Sequence, residues 1–189
     1  MHHHRLNLTT RFPSSMNIIG IDQSIRSTGE VSLIADEEHN FVVKGVNTFA
    51  HRTSLGEQIF DQLPDLQRCK GEGLVVVREG YSYGSRSQSF YQIGELVGCL
   101  GKLIAVARRE LDIEPFIYMQ VPPTTLKLWA FGTGAKKKDT AYLLDIAEIF
   151  GRSFRQDDLA DSFMLAKFAE EFICSILSRG FSDRMKIAL

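Results

Sequence analysis

The chain has 189 residues, enough at roughly 150 per domain for one domain with a sizeable core. Hydrophobic residues make up 44% and charged residues 24%, which excludes global disorder, and the formal net charge of −1 confines any phosphate-binding surface to a local basic patch. No apolar run approaches the roughly 18 residues of a membrane span, and Cys69, Cys99 and Cys174 form no CxxC pair, so neither zinc nor a disulfide framework is indicated and a reducing compartment is the simplest reading.

Residues 1–15 read as a disordered leader or tag remnant, because they lack the apolar centre of a signal peptide. His2, His3 and His4 are open to three readings: tag remnant, natural leader or metal-binding tract. The folded part begins at Met16, and residues 16–189 read as a single domain. Three extended segments, about 17–22, 28–35 and 40–48, are joined by short polar turns and predict an antiparallel meander. Leu55, Ile59, Leu63 and Leu66 recur at helical spacing and predict a helix from Thr53 to about Leu66. "GEGLVVVRE" reads as a buried strand, and "SRSQSFYQIGELVGCLGKLIAVARREL" carries the longest helical pattern. The strand "PFIYMQV" stops at Pro122–Pro123, after which Thr124 or Thr125 caps a short helix through Trp129. "FGTGAKKKD" is a glycine-punctuated basic loop, followed by helices from about Lys138 to Phe150 and from about Asp157 to Leu177. The element order predicts an α/β fold.

Acids stand in three places that solvation alone does not explain. Asp22 ends the apolar run "NIIGID", where it is open to three readings: metal ligand, neighbour of a phosphate, or turn cap. Glu79 follows "LVVVR" and shares a strand face with Val75 and Val77, whereas Arg78 points the other way. Asp158 and Asp161 are three apart on one helical face, with Asp157 rotated about 100° from Asp158. Taken singly, Glu79 also reads as a strand-end surface acid and Asp157 or Asp158 as an N-cap. Asp161 resists such a reading, because it lies within the mostly apolar "LADSFMLAKFA". Two strand ends and one helix can bring four carboxylates to a point. Such a cluster repels itself unless cations neutralise it, which suits hard Mg²⁺ or Mn²⁺ and a metal-dependent phosphodiesterase.

Four blocks of the chain resemble the RuvC-type Holliday junction resolvases, in that family's order. "GIDQSIRSTG" is similar to its "GIDPGxxxTG", and "VVVREGYSYGSRSQSFYQIGELVGCL" to its strand-Glu segment and following helix. "VPPTTLKLWAFGTGAKKKDTA" is similar to "aPxxvKxaxtGxGxAxKxqv", and "DDLADSFMLAKFA" to "DxADALAlAxxh". The resemblance implies an RNase H-like fold: a five-stranded mixed sheet, three antiparallel strands then two parallel, flanked by helices. It implies a homodimer that nicks four-way DNA junctions in symmetric pairs, with two Mg²⁺ or Mn²⁺ ions per active site. Asp22, Glu79, Asp158 and Asp161 would hold the metals, and Lys127 and Lys138 would contact the DNA backbone near the cut. It places the protein in the cytoplasm of a bacterial or phage-infected cell, with the nucleoid. Gln23 and Ser24 replace the family's Pro-Gly, Arg78 replaces an apolar residue, and Ser82, flanked by Tyr81 and Tyr83, stands where the family has an aromatic. Phage-encoded relatives act on other branched DNA as well.

Three surface features bear on that implication. Lys136, Lys137 and Lys138 follow two glycines and precede a helix, which favours phosphate contact over a merely solvated face. Arg86 near Tyr81 and Tyr83 would engage an opened junction base, or else belongs to a surface loop. Gly94, Gly98 and Gly101 form a flat helical stripe, either packed on the protein's own sheet or half of a symmetric dimer contact. A sugar-kinase or actin-like ATPase opens similarly but needs a duplicated domain that 189 residues do not house. The remaining alternatives are a nuclease of the same fold acting on flaps or RNA-containing duplexes, and a non-catalytic module that binds branched DNA.

Overall fold

The computed structural model describes residues 16–23, 27–35, 41–50, 66–80, 89–114, 116–139, 141–178 and 182–188. Its centre is strand β1 (Met16–Gln23), whose apolar residues are buried on both faces, as a central strand requires. Strands β2 (Ser27–Ala35) and β3 (Phe41–Ala50) extend the sheet antiparallel on one side. On the other side, β4 (Gly73–Glu79) and then β5 (Phe116–Val121) run parallel to β1. The order is β3-β2-β1-β4-β5, the expected three antiparallel strands followed by two parallel ones.

Alternation along the strands divides the core into two layers. Ile19, Ile21, Leu74 and Val76 face helix α1 (Ser89–Glu110), which contributes Leu100, Ile104 and Ala107. Ile18, Val31, Val75 and Val77 face a cluster built on the last long helix, α4 (Asp157–Ser178). Helix α2 (Pro123–Phe131) and helix α3 (Tyr142–Phe150) fill that second layer with Trp129, Tyr142 and Ile146. Among the described residues no helix is long and apolar enough to cross a membrane.

Several expected boundaries move. Neither Thr124 nor Thr125 caps α2: Pro122 holds the N-cap position without a side-chain hydrogen bond, and Pro123 opens the helix. A proline at the first helical position gives up only an N–H that would be unpaired there. Helix α3 does not begin at Lys138, because Asp139 makes a turn first. Its carboxylate accepts from the Ala141 N–H at 3.1 Å and its carbonyl from the Tyr142 N–H at 3.0 Å, which leaves Lys138 in the loop. Helix α5 (Asp183–Ala188) escaped the periodicity reading, being too short to show a repeat. It docks by burying Met185 and setting the Arg184 guanidinium 5.5 Å from the Trp129 ring centroid.

The helix expected from Thr53 lies outside the described residues except for its end, where Leu66 is buried against Ile19 and Ile21. The first residues of the longest helical pattern, Ser85 to Gln88, also lie outside them. The glycine stripe does not pack on the sheet: a Cβ on Gly94, Gly98 or Gly101 would meet nothing among the described residues within 4 Å, while Leu100 and Ile104 make the sheet contact. Arg78, on the strand face opposite Glu79, is buried and donates to the Tyr118 hydroxyl and, at 3.0 Å, to the Glu79 carbonyl.

Candidate active site

The carboxyl ends of two neighbouring parallel strands create the site. The β1–β4 register pairs Gly20 with Val77 and Ile21 with Arg78, so Asp22 and Glu79 emerge side by side. Both lie on the α4 face, because Ile18, Gly20 and Asp22 alternate with Ile19 and Ile21, and Val75, Val77 and Glu79 with Val76 and Arg78. Helix α4 approaches that face more closely than side chains would allow. A Cβ on Gly20 would lie 2.1 Å from the Ser162 carbonyl oxygen, and one on Gly29 would lie 2.3 Å from that of Asp158. Ser162 links the layers: it accepts the Asp22 N–H at 3.0 Å and donates to the Asp158 carbonyl at 2.7 Å.

This approach delivers Asp161, whose side chain is only 2% exposed, to the two strand-end acids. Burial and the charges of Glu79 and Asp161 push the Asp22 carboxyl up to about 8, against 3.8 for an ordinary aspartate, although Lys138 pulls the other way. Glu79 is raised by burial and by Asp161, with Lys138, a hydrogen bond with Asp22 and the charge of Lys127 opposing. Asp161 is raised by burial and held back by Lys138 and Tyr142. Three carboxylates that resist ionising together form a pocket that ionises fully only beside added positive charge. Asp158 lies at its edge, near enough for its charge to act on Asp22, while its carboxylate accepts the Ser27 hydroxyl.

Lys138 supplies the positive charge in this arrangement. Its ammonium pairs with Asp161 Oδ2, and Asp22 and Glu79 both help to hold the proton on it, against a burial that alone would lower its pKa. The Tyr142 hydroxyl donates to Asp161 Oδ1 from the first turn of α3. Burial and the Asp161 charge drive the phenol's pKa far upward, so it stays protonated and remains a donor. Lys127, half-buried on α2, is close enough to act on Glu79. Lys136 instead pairs with Asp145 and lies 5.7 Å from the Phe131 ring centroid, while Lys137 is exposed. Tyr81, Tyr83 and Arg86 lie outside the described residues.

The structure therefore brings together Asp22, Glu79, Asp161, Lys138 and Lys127, sets Asp158 alongside, and turns Lys136 away. The sequence reading missed Tyr142 and Ser162. The signal for Ser162 was its place directly after Asp161. Tyr142 reads as an ordinary apolar position of α3. The donor set is all-oxygen and anionic, the kind Mg²⁺ and Mn²⁺ take. No group of three or more His, Cys, Asp or Glu side chains among the described residues has chelating geometry as the side chains stand, with the Lys138 ammonium against Asp161. The donors fit a divalent cation in kind, and the carboxylates would have to close around it.

No family model and no curated protein matches the sequence. Solved structures do match in three dimensions. RuvC of Thermus thermophilus superposes with a TM-score of 0.56 at 16% identity, over 86% of this chain and 97% of that one. The same protein in complex with a Holliday junction substrate gives 0.56 at 15% identity, over 84% and 96%. The yeast mitochondrial Holliday junction resolvase Ydc2 gives 0.51 at 17% identity, over 82% of this chain and 78% of that one. Such identities are too low to carry residue roles across, but the superposition spans most of each chain, and together with the strand order it settles the architecture: this protein has the RNase H-like fold of the RuvC-type resolvases.

Proposed function

We propose that the protein is a metal-dependent, structure-selective DNA endonuclease that resolves four-way junctions by paired symmetric nicks. The observation that carries this reading is the meeting of Asp22, Glu79 and Asp161 at the ends of β1 and β4 and on α4, in a fold shared with a resolvase seen on a junction. Two bound Mg²⁺ or Mn²⁺ ions would polarise the scissile phosphate and lower the pKa of the attacking water. Asp22, Glu79 and Asp161 would hold the metal, with Asp158 as a fourth ligand released from Ser27. The protein's own part is to aim these oxygens from rigid elements and to place cations beside them. Lys127 and Lys138 would neutralise the phosphates flanking the cut, and exposed Lys137 would track the backbone further out. Lys136 joins them only by leaving Asp145.

Two symmetric cuts call for two active sites, hence a two-fold dimer. Its contact would run along α1, where Gly94 and Gly98 are exposed and leave room for close backbone approach. The test is incubation with a four-way junction, a flap, a linear duplex and an RNA–DNA hybrid, with Mg²⁺ or EDTA. Symmetric nicks in the junction that vanish with EDTA are expected. Junction binding without cleavage in any metal would overturn the enzymatic reading, and cutting of flaps or hybrids in preference would shift the substrate class.

A further inference from the structure

The two oxygens of Asp161 are held in physically different ways. Oδ1 accepts a hydrogen bond from Tyr142, which is 1% exposed and anchored by the start of α3 and by the Phe131 ring at a centroid distance of 5.5 Å. Breaking that bond means opening the core. Oδ2 is paired with Lys138, which stands in the loop ahead of α3 with its side chain 37% exposed. Among the described residues the Lys138 ammonium makes no other ion pair, and its further charge neighbours are Asp22 and Glu79. A lysine on a loop can swing outward without disturbing the fold, whereas a tyrosine in the core cannot.

We propose that Asp161 has one permanent and one exchangeable oxygen, and that the Lys138 ammonium and a divalent cation alternate on Oδ2. Lys138 is then a built-in counter-ion that keeps the carboxylate cluster together without metal and is expelled when metal arrives. The ammonium already occupies contact distance of Oδ2, and a cation taking that same oxygen would meet it at close range with strong repulsion, so binding one displaces the other. The expelled ammonium stays on the same loop, beside the place where a phosphate would lie, so metal loading and readiness for DNA become one event. This inference rests on the proposed metal-dependent nuclease, and adds to it an order of events and a competitor for the metal.

Amine acetylation of the full-length protein, read by mass spectrometry, tests the exchange directly, with exposed Lys137 as the internal reference. Lys138 is expected to react slowly in EDTA and several-fold faster with saturating Mn²⁺, while Lys137 reacts alike in both. Calorimetric titration supplies the second measure: Lys138→Met should bind Mn²⁺ about tenfold more tightly than the unaltered chain, because its competitor is gone. Mn²⁺ binding that leaves Lys138 protected, or a Lys138→Met variant that binds Mn²⁺ no more tightly, would overturn the exchange. If that happens in a protein that still nicks junctions, the nuclease reading stands alone. If Lys138 is released by Mn²⁺ in a protein that cuts no branched DNA, the exchange stands and the nuclease reading falls. Absence of any Mn²⁺ binding removes both.

Discussion

Helices α4 and α1 cover opposite faces of one sheet, and the glycines on the two sides stand in opposite situations. Under α4, Gly20 and Gly29 sit where a Cβ would collide with helix backbone at 2.1 and 2.3 Å. On α1, Gly94, Gly98 and Gly101 have nothing among the described residues within 4 Å of where a Cβ would stand. The first pair is required by the protein's own packing and brings Asp161 to the strand ends. Nothing among the described residues packs on the second set, and in a helix interior each glycine costs about 1 kcal/mol relative to alanine. A glycine thus reports a close approach only once its neighbour is known. On one face the neighbour is α4. On the other, the proposed neighbour is a second copy of the chain.

Experiments that break the α4 contact or its acids should have the largest effects. Glu79→Gln or Asp161→Asn is expected to lower junction nicking at least about a thousandfold while junction binding, measured by gel shift, is retained. Loss of binding together with cutting would argue that these acids shape the surface rather than the chemistry. Gly20→Ala should come next, destabilising the fold by about 3 kcal/mol in denaturant titration, since helix backbone has to retreat from the added methyl.

A smaller effect is electrostatic. The folded chain holds a proton on Asp22 up to about pH 8, against 3.8 for an ordinary aspartate. Its contribution to stability is therefore fully present below about pH 4 and is lost as the pH rises through about 8. Calorimetry of the metal-free protein should show the melting temperature falling over that interval. Asp22→Asn should flatten the fall, and at pH 8 melt several degrees above the unaltered chain. An unchanged slope would mean that Asp22 does not carry the cluster's proton.

The smallest effect belongs to α1. Gly98→Ala should stabilise a monomer by about 0.5–1 kcal/mol through helix propensity alone. If the glycine stripe is the dimer contact, the same change weakens association, visible as a lower sedimentation coefficient at fixed concentration. Stabilisation with unchanged association would remove α1 from the interface.

Much of the site was legible before the fold was known, because its acids interrupt patterns that are otherwise apolar. Asp22 and Glu79 end runs of buried residues, and Asp161 sits inside one, so each contradicts its surroundings in a way that a string of letters displays. Lys138 was legible as a basic residue but not as the partner of Asp161. The helix expected to start at Lys138 would have carried the lysine in its first turn. Asp139 instead builds a turn that frees it to reach inward. Tyr142 gave no signal, since a tyrosine at an apolar helical position reads as core. Its hydroxyl acquires meaning only when Asp161 is found opposite. The same holds for Lys136, alike in sequence to its neighbours but drawn to Asp145 by the geometry of α3.

By itself the sequence determined the periodicities, and with them the five strands, the long helices and the faces on which the acids lie, because burial selects residue type locally. Which faces meet was decided by the tertiary structure alone. Residues 22, 79 and 161 are far apart along the chain, and only the parallel β1–β4 register and the Gly20 and Gly29 clearances bring their carboxylates within each other's field. Electrostatic energy depends on distance and on the exclusion of water, and neither exists until the layers have packed.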